Sequence, residues 1–323
     1  MRIININGPI NSGKSTISKL LKEKLPQCLF IEVDDLLSDE EQEKLNLKLE
    51  EGWAERTNRL NKIITREKIA KRYENIVFAY PMTDKTYHEW KSWENENTKF
   101  INITLAPKLD ICIQNRGTRE LTQQEQERIK QMYKEGYHCS KFADLIIDNS
   151  NQTPNDTLQS ILFYLAVSIR LATPDDAYNI KKIHIETYKE SYRGYIPDEY
   201  LDSLSLNDEV VERTKKFLTT TECWLAIHTG TPIAFAYVTY PENAAFEINA
   251  LYVHPQHQKC SVGSRLVNFI CKDKKERGFS KCIVWTMKSG LSIPFYNKMN
   301  FKQTLEEKMW KFNIPIIKLE KTL

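Results

Sequence analysis

Two stretches of the sequence place glycines, a cation and hydroxyl side chains where they can hold phosphate groups. The first, Gly8–Thr16, reads GPINSGKST and fits the pattern G-x-x-x-x-G-K-[ST]. It directly follows the apolar run Arg2–Asn7 and leads into a periodic apolar stretch typical of a helix. Backbone N–H groups of such a loop, together with the helix N-terminus, point at a polyphosphate. The expected phosphate-binding residues are Gly8, Asn11, Ser12, Gly13, Lys14, Ser15 and Thr16.

Side chains in and near this loop indicate phosphoryl transfer from a bound polyphosphate with Mg²⁺. Lys14 would neutralise the outer phosphates, and the Ser15 hydroxyl would bind Mg²⁺. Asp34 ends the second predicted strand, where a carboxylate faces the terminal phosphate across the carboxyl edge of the sheet. It would accept a substrate hydroxyl proton or hold the metal's water, while a role in capping the next helix is open for Asp35.

Two arginines follow the fourth predicted strand. Arg116 and Arg119 can clamp the transferring phosphoryl group, whose charge spreads over three oxygens. The alternative is that both lie on a solvated helix face. A guanine-specifying motif is absent from the sequence, so a small-molecule kinase is favoured over a GTPase.

The second phosphate-binding stretch is Gln258–Ser264. A predicted strand ends at Val253, and a helix is predicted from about Gly263, with Val262 and Leu266 on one apolar face. A loop that feeds backbone amides into a helix N-terminus is an anion site suited to a pyrophosphate. The predicted binding residues are Gln258, Lys259, Ser261, Val262, Gly263 and Ser264.

The elements that position these loops divide the 323 residues into two halves. In the first half, short β-branched runs alternate with long charged helices, which predicts parallel βαβ units and a sheet covered on both faces. The predicted strands are Arg2–Asn7, Leu29–Val33, Asn75–Tyr80, Phe100–Leu105 and Ala143–Asp148. From Val167 onward, a hairpin pattern and further strands predict a mixed, largely antiparallel α+β domain. We therefore expect domains at 1–166 and 167–323, so the fold class is α/β with a P-loop parallel sheet followed by a mixed α+β domain.

Composition narrows the classes of function. The chain has 41% hydrophobic residues, and its 46 Lys and Arg against 43 Asp and Glu leave a net charge of +3, which does not indicate a nucleic-acid binder. Uncharged apolar runs of spanning length are absent, and the N-terminus does not resemble a secretory signal. Seven scattered cysteines without C-x-x-C predict reduced thiols and a cytoplasmic protein. His254, His257 and Cys260 lack a fourth ligand at zinc-site spacing, and Tyr87, Trp90 and Trp93 predict core packing rather than a stacking platform.

The first half resembles the nucleotide-kinase-like P-loop phosphotransferases, particularly chloramphenicol phosphotransferase and the zeta-toxin-like kinases. The matching pieces are the GPINSGKST loop, the segment Phe30–Leu36, the arginine-bearing lid and the closing segment Ala143–Asn149. This resemblance implies a kinase dependent on Mg²⁺ and ATP, with Asp34 as its catalytic carboxylate. One departure stands out, because the third strand ends Phe78-Ala-Tyr80 without the acidic residue that many relatives carry there.

The second half resembles the GNAT (GCN5-related N-acetyltransferase) family from Ile169 to Phe301. Gln258–Ser264 matches the family's Q-G-x-G-I-G-S loop, and Ser289–Phe301 matches its N-x-x-A-x-x-F-Y-x-K-x-G-F segment. The resemblance implies that the domain binds acetyl-CoA. The pantetheine would lie alongside Ala250–Val253, where Leu251, Tyr252 and Val253 are the predicted binding residues, and the pyrophosphate would lie on residues 258–264. It also implies Glu247 as the base and Tyr296 as the acid that protonates the departing thiolate. A backbone N–H near Val253 would polarise the thioester carbonyl.

Four positions depart from the GNAT pattern. Lys259, Ser261 and Asn300 replace glycines, and Ser289 replaces an asparagine. A residue with a β-carbon in a left-handed conformation costs about 1 kcal/mol relative to glycine. From both halves together, we expect an enzyme that acetylates an amine and phosphorylates a hydroxyl of small molecules, with an antibiotic or a metabolite as the substrate. The sequence does not specify the oligomeric state. The alternatives are a GNAT enzyme with a degenerate or regulatory P-loop domain, and a pair of binding modules within a larger assembly.

Overall fold

A computed structural model describes residues 1–115, 120–242, 244–289 and 292–323. The chain divides into two compact units, Met1–Ile161 and Leu162–Leu323, and each is described by itself. Within the described ranges, helices that are both long and apolar enough to cross a membrane do not occur.

The first unit is built on a parallel sheet that carries a helix after most of its strands. The strands are β1 (Arg2–Asn7), β2 (Cys28–Ile31), β3 (Asn75–Ala79), β4 (Lys99–Leu105) and β5 (Leu145–Ile147). The helices are α1 (Lys14–Lys24), α2 (Asp39–Lys44), α3 (Leu49–Ala70), α4 (Asp84–Lys91), α5 (Leu109–Cys112), α6 (Gln123–Lys134) and α7 (Pro154–Ala166), which ends in the second unit. All five strands are parallel in the order β2-β3-β1-β4-β5. The central strand β1 therefore delivers the loop that follows it to the middle of the sheet's carboxyl edge.

Three of the predicted strands end earlier in the structure, and the strand predicted at Asn75–Tyr80 ends one residue short, at Ala79. The strand predicted at Leu29–Val33 ends at Ile31, because Asp34 begins a 3₁₀ turn. The strand predicted at Ala143–Asp148 pairs only from Leu145 to Ile147. Asp144 precedes this pairing and accepts a hydrogen bond from the Asn102 N–H at 2.8 Å through its side chain.

The second unit contains a seven-stranded mixed sheet in the order β11-β12-β10-β9-β8-β7-β6. Its strands are β6 (Val167–Leu171), β7 (Glu222–His228), β8 (Thr231–Glu242), β9 (Ala245–Val253), β10 (Lys281–Met287), β11 (Lys302–Met309) and β12 (Pro315–Thr322). Its helices are α8 (Ala177–Tyr192), α9 (Asp198–Ser203), α10 (Asp208–Leu218), α11 (Val262–Glu276) and α12 (Ile293–Lys298). Only β9 and β10 pair in parallel, and every other neighbouring pair of strands is antiparallel.

Apolar faces of the helices cover the sheet of the second unit. Ile180 and Ile183 of α8 pack with Phe235 of β8 in one buried cluster. Leu266 and Ile270 of α11 belong to another cluster. This second cluster also contains Phe246 and Ile248 of β9 and Cys282 and Val284 of β10, so α11 is packed against the two strands that flank the predicted cofactor site.

Candidate functional site

The loop after β1 has the backbone conformation that the glycine pattern predicts. Gly8 has φ 138°, and a β-carbon there would lie 2.5 Å from the carbonyl oxygen of Leu105, so only glycine fits. Gly13 has φ 95° and immediately precedes α1. The N-terminal amides of α1 are thereby turned toward the loop, and Ser15 and Thr16 are exposed in the first turn.

Polar side chains hold the loop from both sides. The Asn11 amide, in a residue with φ 64°, donates to the carbonyl oxygens of Cys112 at 2.9 Å and Gln114 at 2.8 Å. The Asn149 amide donates to the carbonyl oxygen of Ser12 at 3.0 Å. The Ser12 hydroxyl is fully buried and has no hydrogen-bond partner within the described part of the chain. The loop is therefore pre-organised and retains an unused hydroxyl beside its amides.

Lys14 folds back over the same loop, and its Nζ donates to the Pro9 carbonyl oxygen at 2.7 Å. Burial lowers the pKa of Lys14 from its ordinary 10.5 to about 8, although the charges of Cys112 and Asp34 act in the opposite direction. A half-buried cation that gains a polyphosphate partner recovers its full charge, because the opposite charge favours the ammonium form. The arrangement therefore suits an anion bound over the loop.

Asp34 lies on the exposed 3₁₀ turn after β2, with Asp35 next to it. Two arginines of α3 anchor this turn through its backbone. Arg56 donates to the carbonyl oxygen of Leu37 at 2.7 Å, and Arg59 donates to that of Leu36 at 2.8 Å. Asp34 is therefore exposed on a turn that is anchored to α3, and its charge acts on Lys14.

The end of β3 carries Tyr80 in place of an acidic residue. Its hydroxyl lies 3.3 Å from Thr57 Oγ1, and its ring packs on Trp90 at 5.0 Å. Trp90 and Trp93 stack on each other at 4.9 Å in the buried core, and Tyr87 stacks on Phe142 at 4.9 Å. The interpretation of this aromatic stripe as core packing is confirmed.

The predicted phosphoryl clamp, Arg116 and Arg119, lies outside the described residues.

In the second unit, β9 and β10 pair only over their first residues. The register runs from Ala245 opposite Lys281 to Ile248 opposite Val284, after which the two strands diverge. The antiparallel ladder with β8 continues through Val253, with a bulge at Asn249. The His254 N–H donates to the Ile233 carbonyl oxygen on β8. Because the hydrogen-bonding direction alternates along an antiparallel ladder, the backbone groups of Leu251 and Val253 face the opposite side, toward the gap. The gap is thus an open strand edge inside a sheet.

The loop that follows β9 keeps its conformation despite the missing glycines. Lys259 and Ser261 both have φ 60°, and Asn300 has φ 65°. All three non-glycine residues therefore adopt the left-handed conformation for which glycine is favoured. Ser261 immediately precedes α11, so the N-terminal amides of this helix face the end of the β9–β10 gap.

A side chain at Gly263 would contact α12 and the end of β9. A β-carbon there would contact Phe295 Cζ at 3.4 Å and Val253 Cγ2 at 3.5 Å. The Gln258 side-chain amide donates to the Val253 carbonyl oxygen at 3.2 Å, as does the Thr187 hydroxyl. These contacts fix the loop against the end of β9, while Val262 is buried and Ser264 is half-buried.

The two predicted catalytic side chains are held differently. Glu247 is half-buried on β9, and its Oε1 accepts a hydrogen bond from the Asn249 amide at 2.6 Å. Tyr296 on α12 is buried, and burial raises the pKa of its phenol well above the ordinary range, with smaller contributions from Cys282 and Tyr192. The phenol therefore stays protonated and can act as an acid.

Two family models match separate parts of the chain. One described as shikimate kinase matches residues 10–166, and one described as acetyltransferase (GNAT) domain matches residues 219–303. A shikimate kinase of Sulfurihydrogenibium is 26% identical over 170 residues, which cover 50% of this chain and 96% of the relative. The uncharacterized N-acetyltransferase YuaI of Bacillus subtilis is 26% identical over 150 residues, which cover 44% of this chain and 83% of the relative.

Solved acetyltransferase structures align with about half of the chain. PaiA N-acetyltransferase from Thermoplasma acidophilum, in complex with coenzyme A, is 19% identical, covers 49% of this chain and 99% of its own, and has a TM-score of 0.42. Ribosomal-protein-alanine N-acetyltransferase from Brucella melitensis is 18% identical, with coverages of 48% and 99% and a TM-score of 0.38.

The chain carries a kinase-like domain and a GNAT acetyltransferase domain. The broad prediction of a P-loop kinase type followed by a GNAT type is thereby confirmed. The narrower likeness of the kinase-like domain to chloramphenicol phosphotransferase and zeta-toxin-like kinases stays a prediction, as do the individual site residues.

The structure adds asparagines of β1 that sequence reasoning missed in the kinase-like domain. Buried Asn5 exchanges hydrogen bonds with the backbone of Tyr80, and buried Asn7 accepts from the Met82 N–H at 2.9 Å. Asn7 also donates to Ser140 Oγ at 2.9 Å. These side chains fix the segment after β3 beside the phosphate loop. Their signal in the sequence is two asparagines at alternate positions of an otherwise apolar strand.

The GNAT domain also contains an aromatic cluster that sequence reasoning missed. We call Tyr188, Tyr192, Tyr252 and Trp310 the aromatic cluster, because their ring centroids lie 4.4 to 6.4 Å apart in successive contacts. The Tyr188 hydroxyl is buried and has no hydrogen-bond partner among the residues that the structure describes. A cavity of about 660 Å³, lined by residues 194–198, Phe312 and Asn313, opens between the α8–α9 connection and the turn after Trp310.

Proposed function

We propose that the GNAT domain transfers an acetyl group from acetyl-CoA to the amine of a small molecule. The observation that carries this proposal is the gap between β9 and β10, which ends at the N-terminus of α11. The backbone groups of Leu251 and Val253 that face the gap, with Tyr252 between them, would hold the pantetheine, and the amides of residues 258–264 would hold the pyrophosphate. In the transfer, Glu247 takes the amine proton, the nitrogen attacks the thioester carbon, and Tyr296 protonates the departing thiolate.

We also propose that the kinase-like domain transfers a phosphoryl group from ATP to the hydroxyl of a small molecule. The pre-organised loop and the unpaired charge of Lys14 support this reading. The residues present fit ATP with Mg²⁺, because the loop amides would hold the phosphates and the exposed Ser15 hydroxyl would bind the metal. When bound, Mg²⁺ would neutralise charge on the phosphates. The likeness to a shikimate kinase supports a small-molecule acceptor.

A second reading makes the kinase-like domain a regulatory nucleotide-binding module, because Tyr80 replaces the acidic residue expected after β3. The two readings differ in turnover. ATP hydrolysis or phosphate-ester formation that disappears in Lys14→Ala supports the kinase, whereas tight ATP binding without turnover supports the regulatory module. The seven free thiols support a reducing compartment such as the cytoplasm for either reading.

The acetyl-CoA site is tested by isothermal titration with acetyl-CoA. Gly263→Asp places a carboxylate at the N-terminus of α11 and against Phe295, so binding should be lost. Asn268→Asp is the matched control, because it introduces a carboxylate at an exposed position of the same helix, away from its N-terminus. Equal affinity in wild type and Gly263→Asp would reject the loop assignment.

Acceptors are identified by incubating the full chain with ATP, acetyl-CoA and a pool of antibiotics and metabolites. Mass spectrometry then detects products that carry an added phosphate or acetyl group.

A further inference from the structure

Three cations, one half-buried and two exposed, lie on elements of the GNAT domain that pack beside the aromatic cluster. They are Lys181 on α8, Arg213 on α10 and Lys311 in the turn between β11 and β12, and we call them the cationic cluster. Lys181 is half-buried, and its Nζ lies 3.1 Å from Nδ1 of His184. Helix α10 packs on α8 through Val211 and Leu218, which brings Arg213 to the same end of the domain.

The cationic cluster has no neutralising partner. Within the part of the chain that the structure describes, none of the three cations forms an ion pair, and Glu212 beside Arg213 is paired with Lys215 instead. Burial lowers the pKa of Lys181, and the charges of Arg213 and Lys311 lower it further. Burial likewise lowers the pKa of His184 to about 4, so this ring is neutral near pH 7. Its Nδ1 can therefore accept a hydrogen bond from the Lys181 ammonium group. Unpaired charge collected in this way favours an anionic partner.

The cationic cluster adjoins the place where an acetyl acceptor would bind. The His184 ring contacts Tyr252 at 5.0 Å and Tyr188 at 5.3 Å. Tyr252 directly precedes Val253 on the open edge of β9. Trp310, which precedes Lys311, contacts Tyr192 at 5.4 Å. An anion held by the three cations would therefore be separated from the expected thioester position by the rings of His184 and Tyr252.

We propose that the acetyl acceptor is an amine that also carries an anionic group, a phosphate or a carboxylate, bound by Lys181, Arg213 and Lys311. This inference rests on the proposed acetyl-CoA-dependent function. The acceptor amine loses a proton, its nitrogen bonds to the acetyl carbon, the carbon–sulfur bond breaks, and free CoA leaves as the thiol. A phosphate ester of an amino alcohol meets the requirement, and this is the class of product that the kinase-like domain would supply. Phosphorylation would then precede acetylation.

The test is acetyl transfer by the full chain to four matched amines, followed as release of the CoA thiol. Ethanolamine is neutral outside its amine, ethylenediamine adds a cation, β-alanine adds a carboxylate, and phosphoethanolamine adds a phosphate. We expect kcat/KM to be about five- to tenfold higher per engaged cation for the anionic amines than for ethanolamine. The two anionic amines distinguish a phosphate acceptor from a carboxylate acceptor.

Single substitutions locate the effect. Arg213→Gln and Lys311→Gln should each remove about five- to tenfold of the advantage of the anionic amines and leave the rate with ethanolamine unchanged. Lys182→Gln is the matched control, because Lys182 is exposed on the same helix and lies outside the cationic cluster. Equal rates for all four amines, or a preference for ethylenediamine that the substitutions do not alter, would overturn the proposal.

A direct binding measurement covers the case in which these small amines turn over too slowly. Inorganic phosphate is titrated into CoA-saturated protein in a Lys14→Met background, so that both phosphate loops are occupied or silenced. Weaker phosphate binding in Lys311→Gln supports the proposal, and identical binding refutes it. Failure of acetyl-CoA itself to bind wild-type protein would instead refute the proposed acetyltransferase function, which separates the two failures.

Discussion

Replacing Lys14 by methionine should stabilise the ligand-free kinase-like domain. Methionine keeps most of the aliphatic length of lysine and removes the ammonium group, whose pKa burial lowers from 10.5 to about 8. The Pro9 carbonyl loses the hydrogen bond from Lys14 Nζ but still accepts one from the Ser12 N–H at 3.3 Å. The substitution therefore removes a disfavoured charge without leaving a carbonyl unbonded.

The magnitude follows from the lowered pKa of Lys14. A fall from 10.5 to about 8 corresponds to about 3 kcal/mol between the charged and neutral forms. Lys14 is only half-buried, and solvent screening reduces the expected gain in unfolding free energy to about 1–2 kcal/mol at pH 7. Because the folded-state pKa is below the unfolded one, the destabilisation is full below pH 8 and disappears as the pH rises toward 10.5. The advantage of Lys14→Met should vanish over that range.

Thermal unfolding of the full chain with and without Mg·ATP measures both effects. At 100 times its dissociation constant, ATP should stabilise the wild-type domain by about 2.7 kcal/mol and should not stabilise Lys14→Met. Lys24→Met, on an exposed position of the same helix, should show the wild-type response to ATP and no comparable stabilisation. A Lys14→Met protein that is less stable than wild type, or that keeps the full ATP effect, would refute the reasoning.

Three further predictions concern single residues. Asp34→Asn should lower kcat for phosphoryl transfer about 100-fold or more with little change in the dissociation constant for ATP, measured by turnover and titration; an unchanged kcat would contradict the role of Asp34. Tyr296→Phe should lower kcat for acetyl transfer about 100-fold while acetyl-CoA affinity stays at the wild-type value, and a loss of affinity alone would contradict the assignment of an acid. Ser261→Val should lower the unfolding free energy by about 1–2 kcal/mol and weaken acetyl-CoA binding, because φ 60° is unfavourable for a β-branched side chain, whereas Ser261→Gly should retain both properties. Equal stability of the two Ser261 variants would show that the strain is absent.

The sequence alone was sufficient for the elements and loops that depend on local chemistry. The spacing of Gly8, Gly13 and Lys14 requires a strand, a tight turn and a helix in that order, and the structure has them. The same holds for β9 and α11, where a strand runs into a loop and a helix with one apolar face. Glycine conformations and helix periodicity arise within a few consecutive residues, so they can be read without knowledge of the fold.

Only the tertiary structure decided which distant side chains meet and which strand edges stay open. The divergence of β9 from β10 after Ile248 depends on the packing of two strands about 30 residues apart, and no local pattern encodes it. Lys181, Arg213 and Lys311 read as ordinary surface cations in the sequence. The site proposed for them depends on the packing of α10 against α8 and on the contacts of Trp310 with Tyr188 and Tyr192 of α8. Such sites rest on long-range packing, whereas sequence periodicity reports only the face that each element buries.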